Sequence, residues 1–161
     1  MLPIFLARRR RLLVLLPGPR RPSGSSLPWD SGLTDIGRLM LTDGEQRSLD
    51  EEGFVIPDFR LSEQTLDEIC AIHERLVRHH PKFVDYCPAV LGYDLGFLNF
   101  ARNPEILDMV TQVIGGDIAI WNSSFFAKPA RGGRKTPWHQ DGQYWAMRPI
   151  ATCSVWMAID D

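Results

Sequence analysis

The feature that most constrains the fold of this chain is a change in hydrophobic periodicity near residue 117. Before that point, apolar residues recur at the three- and four-residue spacing of amphipathic helices. After it, β-branched and aromatic residues dominate three segments that we predict as strands, 118–128, 138–145 and 152–159. Helices that precede strands are typical of an α+β fold, which is the fold class we predict.

The first predicted helix carries a signal at both of its ends. Thr42 and Glu45 have the spacing of a capping box, and Gly53 is placed to end the helix. The apolar residues 54–56 then predict a short strand. The folded part is therefore expected to begin near residue 39.

Two longer helices are predicted downstream. Ser62 is placed to cap one that ends near His80, and Pro104 begins the other after the capping Asn103. The second of them is expected to stop at Gly115. The predicted buried faces are Leu66, Ile69, Cys70, Leu76 and Val77 in the one and Ile106, Leu107, Val110 and Ile114 in the other.

Three of the four histidines, His73, His79 and His80, fall on the helix that follows Ser62. We interpret them as surface or helix-terminal residues, because positive charge near a helix C-terminus complements the helix dipole. The three cysteines lie at irregular spacings without a CxxC pair. They are expected to be buried or half-buried free thiols of a protein in a reducing compartment.

Charge is unevenly distributed along the chain. Residues 1–29 hold six arginines and no acidic residue, which leaves 12 Lys and Arg against 20 Asp and Glu in the rest. The folded part is therefore acidic and carries only three lysines, which argues against nucleic acid as a partner. No apolar stretch approaches the roughly 18 residues that cross a bilayer, so no membrane span is predicted.

Residues 1–38 form an Arg-rich and then Pro/Gly/Ser-rich leader that we predict to be disordered and not packed into the core. Its residues 1–29, which are arginine-rich and hold no acidic residue, are similar to an organelle transit peptide, and the alternative is a disordered extension or a misassigned start. We expect a cytoplasmic protein, or a mitochondrial one if the leader is a transit peptide.

One segment of the strand-rich part carries a motif with chemical meaning. His139 and Asp141 are two residues apart, and on an extended backbone such side chains point to the same face. An imidazole and a carboxylate are two of the three ligands of the 2-His-1-carboxylate triad that holds Fe(II). Because His-x-Asp is expected by chance roughly 0.3 times in a chain of this composition, a structural histidine bonded to an aspartate is the alternative.

The wider sequence resembles the phytanoyl-CoA dioxygenase family of Fe(II)- and 2-oxoglutarate-dependent oxygenases, over about residues 45–161. The matching motifs are Gly-Phe-Val at 53–55, Ile-Gly-Gly-Asp at 114–117, Phe-Ala-Lys-Pro at 126–129, Trp-His-Gln-Asp-Gly-Gln-Tyr-Trp at 138–145 and the segment 153–161. The resemblance implies N-terminal helices packed on part of a double-stranded β-helix, a jelly roll of the cupin kind. Residues 39–161 would be the N-terminal portion of that domain.

The resemblance also implies roles for individual residues. The residues so matched are His139 and Asp141 as iron ligands, Gln140, Ser124 and Trp156 as contacts of 2-oxoglutarate, and Tyr144 and Trp145 as walls of the substrate pocket. From the residues alone, the three aromatic side chains are explained equally well by packing in the core.

The implied activity is hydroxylation of a small organic substrate with O₂ and 2-oxoglutarate, which is decarboxylated to succinate. A carboxylate at position 141 favours hydroxylation, because related halogenases carry a small residue there. In the family, the second iron histidine and the arginine that pairs with 2-oxoglutarate lie downstream of the segment 156–161, and no residue here matches them. We therefore expect a truncated chain whose last strand lacks a downstream partner.

Two other interpretations stay open at the level of the sequence. One is a non-catalytic fragment or interaction module with a vestigial metal site, since two ligands hold a divalent metal less tightly than three. The other is a site completed by a second polypeptide. Metal affinity distinguishes the non-catalytic module from an enzyme.

Overall fold

The computed structural model describes residues 41–128, 137 and 151–159, together with the backbone of one strand at 12–15. Its helices are α1 (Asp43–Glu52), α2 (Glu63–His79), α3 (Phe97–Ala101) and α4 (Pro104–Ile114). Its strands are β1 (Leu12–Leu15), β2 (Phe54–Val55), β3 (Tyr86–Cys87), β4 (Phe125–Phe126) and β5 (Ser154–Met157), and single 3₁₀ turns lie at Pro81–Phe83 and Val90–Gly92. The elements belong to two compact units, the first with β1, α1, β2, α4 and β5 and the second with α2, β3, α3 and β4. The mixture of helices with small antiparallel sheets confirms the α+β class at this level.

Helix α1 begins and ends where the sequence predicts. Thr42 Oγ1 accepts a hydrogen bond from the backbone N–H of Glu45 at 3.2 Å, and the Glu45 carboxylate accepts one from the N–H of Thr42 at 2.8 Å. Gly53 has φ 81°, a left-handed conformation, and its N–H donates to the Leu49 carbonyl at 2.9 Å. The capping box and the glycine stop are both confirmed.

The left-handed conformation of Gly53 leads to a test of this helix end. Substitution Gly53→Ala should lower the free energy of unfolding by about 1 kcal/mol, because an added Cβ finds open space but strains the backbone. Gly44→Ala is the matched control, since Gly44 lies inside α1 without a positive φ and an alanine there should stabilise the helix. Urea unfolding of both variants measures the difference, and equal midpoints would contradict the assignment.

The sheet of the first unit has the order β2-β1-β5, with both pairs antiparallel. Leu15 is paired with Phe54 on one side, and Leu13 is paired with Trp156 on the other. Leu12–Leu15, which lie within the predicted leader, thus form a strand, and the last strand pairs with this upstream segment. The physical reason is that both neighbouring strands satisfy the backbone N–H and C=O groups of this apolar run.

The core of the first unit combines α1, β2, α4 and the turns beside them. Its buried side chains are Leu41, Leu49, Val55, Phe59, Ile106, Met109, Val110 and Val113. The side-chain amide of Gln112 joins α4 to the residue that precedes α1 by two positions. Its Oε1 accepts from the N–H of Leu41 at 2.8 Å, and its Nε2 donates to the Leu41 carbonyl at 2.9 Å. The predicted bounds of α4 are confirmed at Pro104 and Ile114. Its buried face is displaced from the prediction, because Met109 and Val113 are buried while Leu107 and Ile114 are half-buried.

The second unit is built on α2. Ser62 Oγ accepts from the N–H of Thr65 at 3.1 Å, and the helix ends at His79, so both predicted ends are confirmed. Leu66, Ile69 and Leu76 are buried as predicted, whereas Cys70 is exposed.

The strands of the second unit are shorter than the sequence predicts. Of the segment 118–128, only β4 is a strand, and it pairs with β3 through Tyr86 with Phe126 and Cys87 with Phe125. The ladder is short because Pro88 directly follows β3 and has no N–H to donate. The predicted strand 138–145 lies outside the described residues. In the part of the chain that the structure describes, no helix is long and apolar enough to cross a membrane.

Candidate functional site

Most of the predicted site lies outside the described residues. The predicted residues there are His139, Gln140, Asp141, Tyr144 and Trp145. Their roles stay predictions. Among the residues that are described, no group of three or more His, Cys, Asp or Glu is placed so that it could hold a metal ion.

Ser124, a predicted contact of 2-oxoglutarate, lies directly before β4 in the second unit and is half-buried. The chain leading to it is anchored on one side by the carbonyl of Ser123, which accepts from the N–H of Val90 at 2.8 Å. The N–H of Ser123 donates to the side-chain carbonyl of Asn122 at 2.8 Å. These bonds fix the backbone just before the half-buried Ser124.

Trp156, another predicted contact of 2-oxoglutarate, lies in β5 of the first unit. Its side chain is 49% exposed, while its neighbours on the strand are half-buried. The alternative that Trp156 is an ordinary core residue is therefore wrong. An indole held on a paired strand with one side open can contact a small molecule.

His73 is less exposed than the sequence predicts. Its imidazole lies flat on Phe125, with ring centroids 4.2 Å apart and planes 15° apart, and its Nε2 is buried. No described residue offers that nitrogen a hydrogen bond. The residue is therefore not an ordinary surface histidine, because its environment is built by a strand far along the chain.

Burial lowers the pKa of His73 below its ordinary value, and the neighbouring Glu74 opposes this by raising it. Protonation would gain cation–π attraction to Phe125, which is worth about 0.5–1 kcal/mol where the cation is exposed. A buried donor without an acceptor costs about 1–3 kcal/mol, and more when it is charged. The cost of desolvation is the larger effect, so the neutral imidazole is favoured.

An open groove of about 450 Å³ lies at the C-terminal end of α2. Its walls are formed by Arg75, Leu76, His79, His80, Tyr93 and Asp94. Arg75 Nε and Nη2 donate to one oxygen of Asp94 at 3.1 and 2.6 Å. The other Asp94 oxygen accepts from the N–H of Gly96 at 2.8 Å. The Arg75–Asp94 pair thereby closes one wall of the groove.

The carboxylate of Asp94 is held in its charged form. Burial alone would raise the pKa of Asp94, but hydrogen bonds from Gly96 and Arg75, together with the Arg75 charge, outweigh burial and lower it. A Cβ at Gly96 would come within 2.9 Å of both the Asp94 carboxylate and Ile72 Cδ1, so a larger residue there requires these two side chains to shift.

The two histidines at the end of α2 match the prediction of helix-terminal residues. The Nδ1 of His79 lies 2.8 Å from the Arg75 carbonyl, which caps the last turn of the helix. His80 follows the helix and meets the ring of Tyr93 edge-on at 5.2 Å. The sequence predicts that His79 and His80 lie at the end of the helix, but nothing in it indicates that Tyr93 and Asp94 lie beside that end.

The cysteines are free thiols, as predicted. Cys87 is buried and Cys153 is half-buried, but Cys70 is exposed, which corrects the expectation for that residue. Burial raises the pKa of Cys153 to about 11 and also raises the pKa of Cys87. The thiols of Cys87 and Cys153 are therefore protonated near neutral pH and are poor nucleophiles.

A comparison with protein families assigns the chain to a class of dioxygenases: the sequence model of phytanoyl-CoA dioxygenase (PhyH) matches residues 71–161. The match spans more than half of the sequence and includes the His-x-Asp segment. The chain belongs to the phytanoyl-CoA dioxygenase family. Comparisons with curated proteins and with solved structures find no match.

Proposed function

We propose that this protein acts as an Fe(II)- and 2-oxoglutarate-dependent dioxygenase that hydroxylates a small organic substrate. The observation that carries the proposal is the family match over residues 71–161. That match includes the His-x-Asp motif, whose imidazole and carboxylate suit Fe(II) at adjacent positions. In this proposal, residues 39–161 form the N-terminal portion of a domain whose strands build a jelly roll.

The proposed iron ligands of this chain are the imidazole of His139 and the carboxylate of Asp141. A nitrogen donor and an oxygen donor fit the coordination that Fe(II) prefers, and the carboxylate also balances part of the metal charge. When bound, the iron would supply O₂ activation coupled to decarboxylation of 2-oxoglutarate. Within the 161 residues, no third ligand and no arginine for 2-oxoglutarate is assigned.

The other residues are proposed to bind and orient the small molecules. Ser124 and Gln140 would donate hydrogen bonds to the carboxylates of 2-oxoglutarate, and Trp156 would cover its carbon chain. The half-buried position of Ser124 and the open face of Trp156 support these roles. Tyr144 and Trp145 are proposed to exclude water from the substrate.

A metal titration of the 161-residue chain tests the proposal. Mn(II) is a suitable probe, because it takes the same donors as Fe(II) and resists oxidation. We expect one ion per chain, bound at least tenfold more tightly than by the variant His139→Ala, with 2-oxoglutarate raising the affinity. Succinate formed from 2-oxoglutarate in the presence of Fe(II) then measures turnover.

His79→Ala is the matched control, since His79 lies at the end of α2 and outside the proposed metal site. It should bind Mn(II) as the unsubstituted chain does. Equal affinity in the unsubstituted chain and in His139→Ala would overturn the ligand assignment and favour a non-catalytic interaction module.

A further inference from the structure

The contact between His73 and Phe125 joins two elements that are distant in the sequence. The His73 ring in α2 lies 4.2 Å from the ring of Phe125 in β4, and Phe125 also contacts Phe97 in α3 at 5.8 Å. Strand β4 has only two residues and pairs with an equally short β3. The stack with His73 therefore adds a contact from α2 to the pairing of β4 with β3 and to its contact with α3.

The buried Nε2 of His73 determines how the contact between His73 and Phe125 responds to protonation of the imidazole. His73 Nε2 is inaccessible to solvent, and none of the described residues provides an acceptor for a proton placed there. A neutral ring can leave this nitrogen as a lone pair against apolar neighbours. A protonated ring would have to bury a charged N–H without a partner, which is strongly unfavourable.

We propose that His73 and Phe125 form a proton-sensitive latch, which holds β4 on α2 while the imidazole is neutral and releases it as the pH falls. The latch itself does not depend on iron or on 2-oxoglutarate.

The charge beside His73 favours protonation less than burial of the imidazole opposes it. Glu74, the next residue of α2, favours the charged imidazole, but its effect on the pKa of His73 is smaller than that of burial. Of the elements near the latch, α3 is uncharged, β3 contributes Tyr86 and Cys87, and the segment before β3 contributes Lys82 and Asp85, whose carbonyl accepts from the N–H of Ala127 at the end of β4. Burial raises the pKa of the Cys87 thiol, so this group carries no charge at pH 5–7, and Lys82 Nζ lies over the ring of Phe83.

The direction of the pH effect follows from linkage. Because the pKa of His73 is lower in the folded chain than the ordinary 6.5, the released state binds more protons than the latched state. The latch is therefore fully stable above pH 6.5 and weakens as the pH falls from 6.5 through the folded pKa. One proton permits a change of at most about tenfold in the latch equilibrium per pH unit.

Hydrogen exchange of single amides in the full chain tests the latch. The amide of Ala127 donates to the Asp85 carbonyl at 2.8 Å and reports on the end of β4. Its protection, expressed relative to the intrinsic exchange rate at each pH, should fall by up to about tenfold per unit between pH 6.5 and 5. In His73→Phe, which keeps an aromatic ring but cannot be protonated, the protection should stay constant over this range.

The same substitution elsewhere on α2 provides the control. His79→Phe alters an exposed histidine of the helix and should keep the pH dependence of the unsubstituted chain. A parallel loss of protection in His73→Phe would overturn the latch. An NMR titration of His73 in the unsubstituted chain decides the matter even if a variant fails to fold, because a midpoint at or above 6.5 also contradicts the proposal.

Discussion

Substitution Asp141→Ala should abolish tight binding of Fe(II) or Mn(II), with a loss of affinity of at least about 100-fold. A loss of that size corresponds to roughly 2.7 kcal/mol of binding free energy. The expected size follows from the proposed donor set, in which Asp141 contributes one of only two assigned ligands and the only negative charge. Removing it would leave the metal with one imidazole and water, which is a weak site.

Two further variants make this measurement specific. Asp141→Glu keeps the carboxylate on a longer side chain and should lose less affinity than Asp141→Ala. Asp50→Ala removes an exposed carboxylate of α1 and should leave Mn(II) affinity unchanged. Binding at unsubstituted affinity in Asp141→Ala would show that this carboxylate is not a ligand, whatever its position in the family motif.

The elements that were predicted correctly are those whose determinants lie within a few residues of each other. The ends of α1 depend on Thr42, Glu45 and Gly53, and all three were visible as a pattern. The same is true of Ser62 at the start of α2. Local capping chemistry acts independently of the rest of the fold, so the sequence alone is sufficient to find it.

The elements that were missed depend on partners from distant parts of the chain. Strand β1 exists because β2 and β5 pair with its two edges, and nothing within Leu12–Leu15 reveals those partners. The burial of His73 is likewise created by Phe125. A pattern search over neighbouring residues cannot detect either arrangement, since the determining contact is between segments far apart in sequence.

The same distinction between local and distant determinants applies to the candidate functional residues. The His139–Asp141 pair could be found because ligands two residues apart on a strand leave a short signature. The groove at the end of α2 could not, because Asp94 and Tyr93 approach Arg75 and His80 only through the fold. The family resemblance implies roles for His139 and Asp141, but it gives no information about the residues of the groove.

Substitution Met109→Ala should destabilise the first unit by about 2–5 kcal/mol. Met109 is fully buried in α4, with 0% of its side chain exposed, so truncation removes apolar contacts and leaves a cavity. Urea unfolding should show a lower midpoint with an unchanged dependence on denaturant. Met109→Leu nearly conserves the side-chain volume and should lower the free energy of unfolding by less than about 1.5 kcal/mol. This control distinguishes destabilisation by the cavity from destabilisation by removal of the sulfur atom.

Substitution Leu107→Ala in the same helix tests whether α4 buries the face predicted from the sequence or the face that is buried in the structure. The apolar pattern of the sequence places Leu107 inside and omits Met109, whereas in the structure Leu107 is half-buried and Met109 lies in the core with Ile106 and Val110. Alanine is a good helix former, so the change at 107 costs only the apolar contacts of a partly exposed side chain. The loss of stability should therefore be smaller for Leu107→Ala than for Met109→Ala, and the reverse order would mean that α4 presents the face predicted from the sequence.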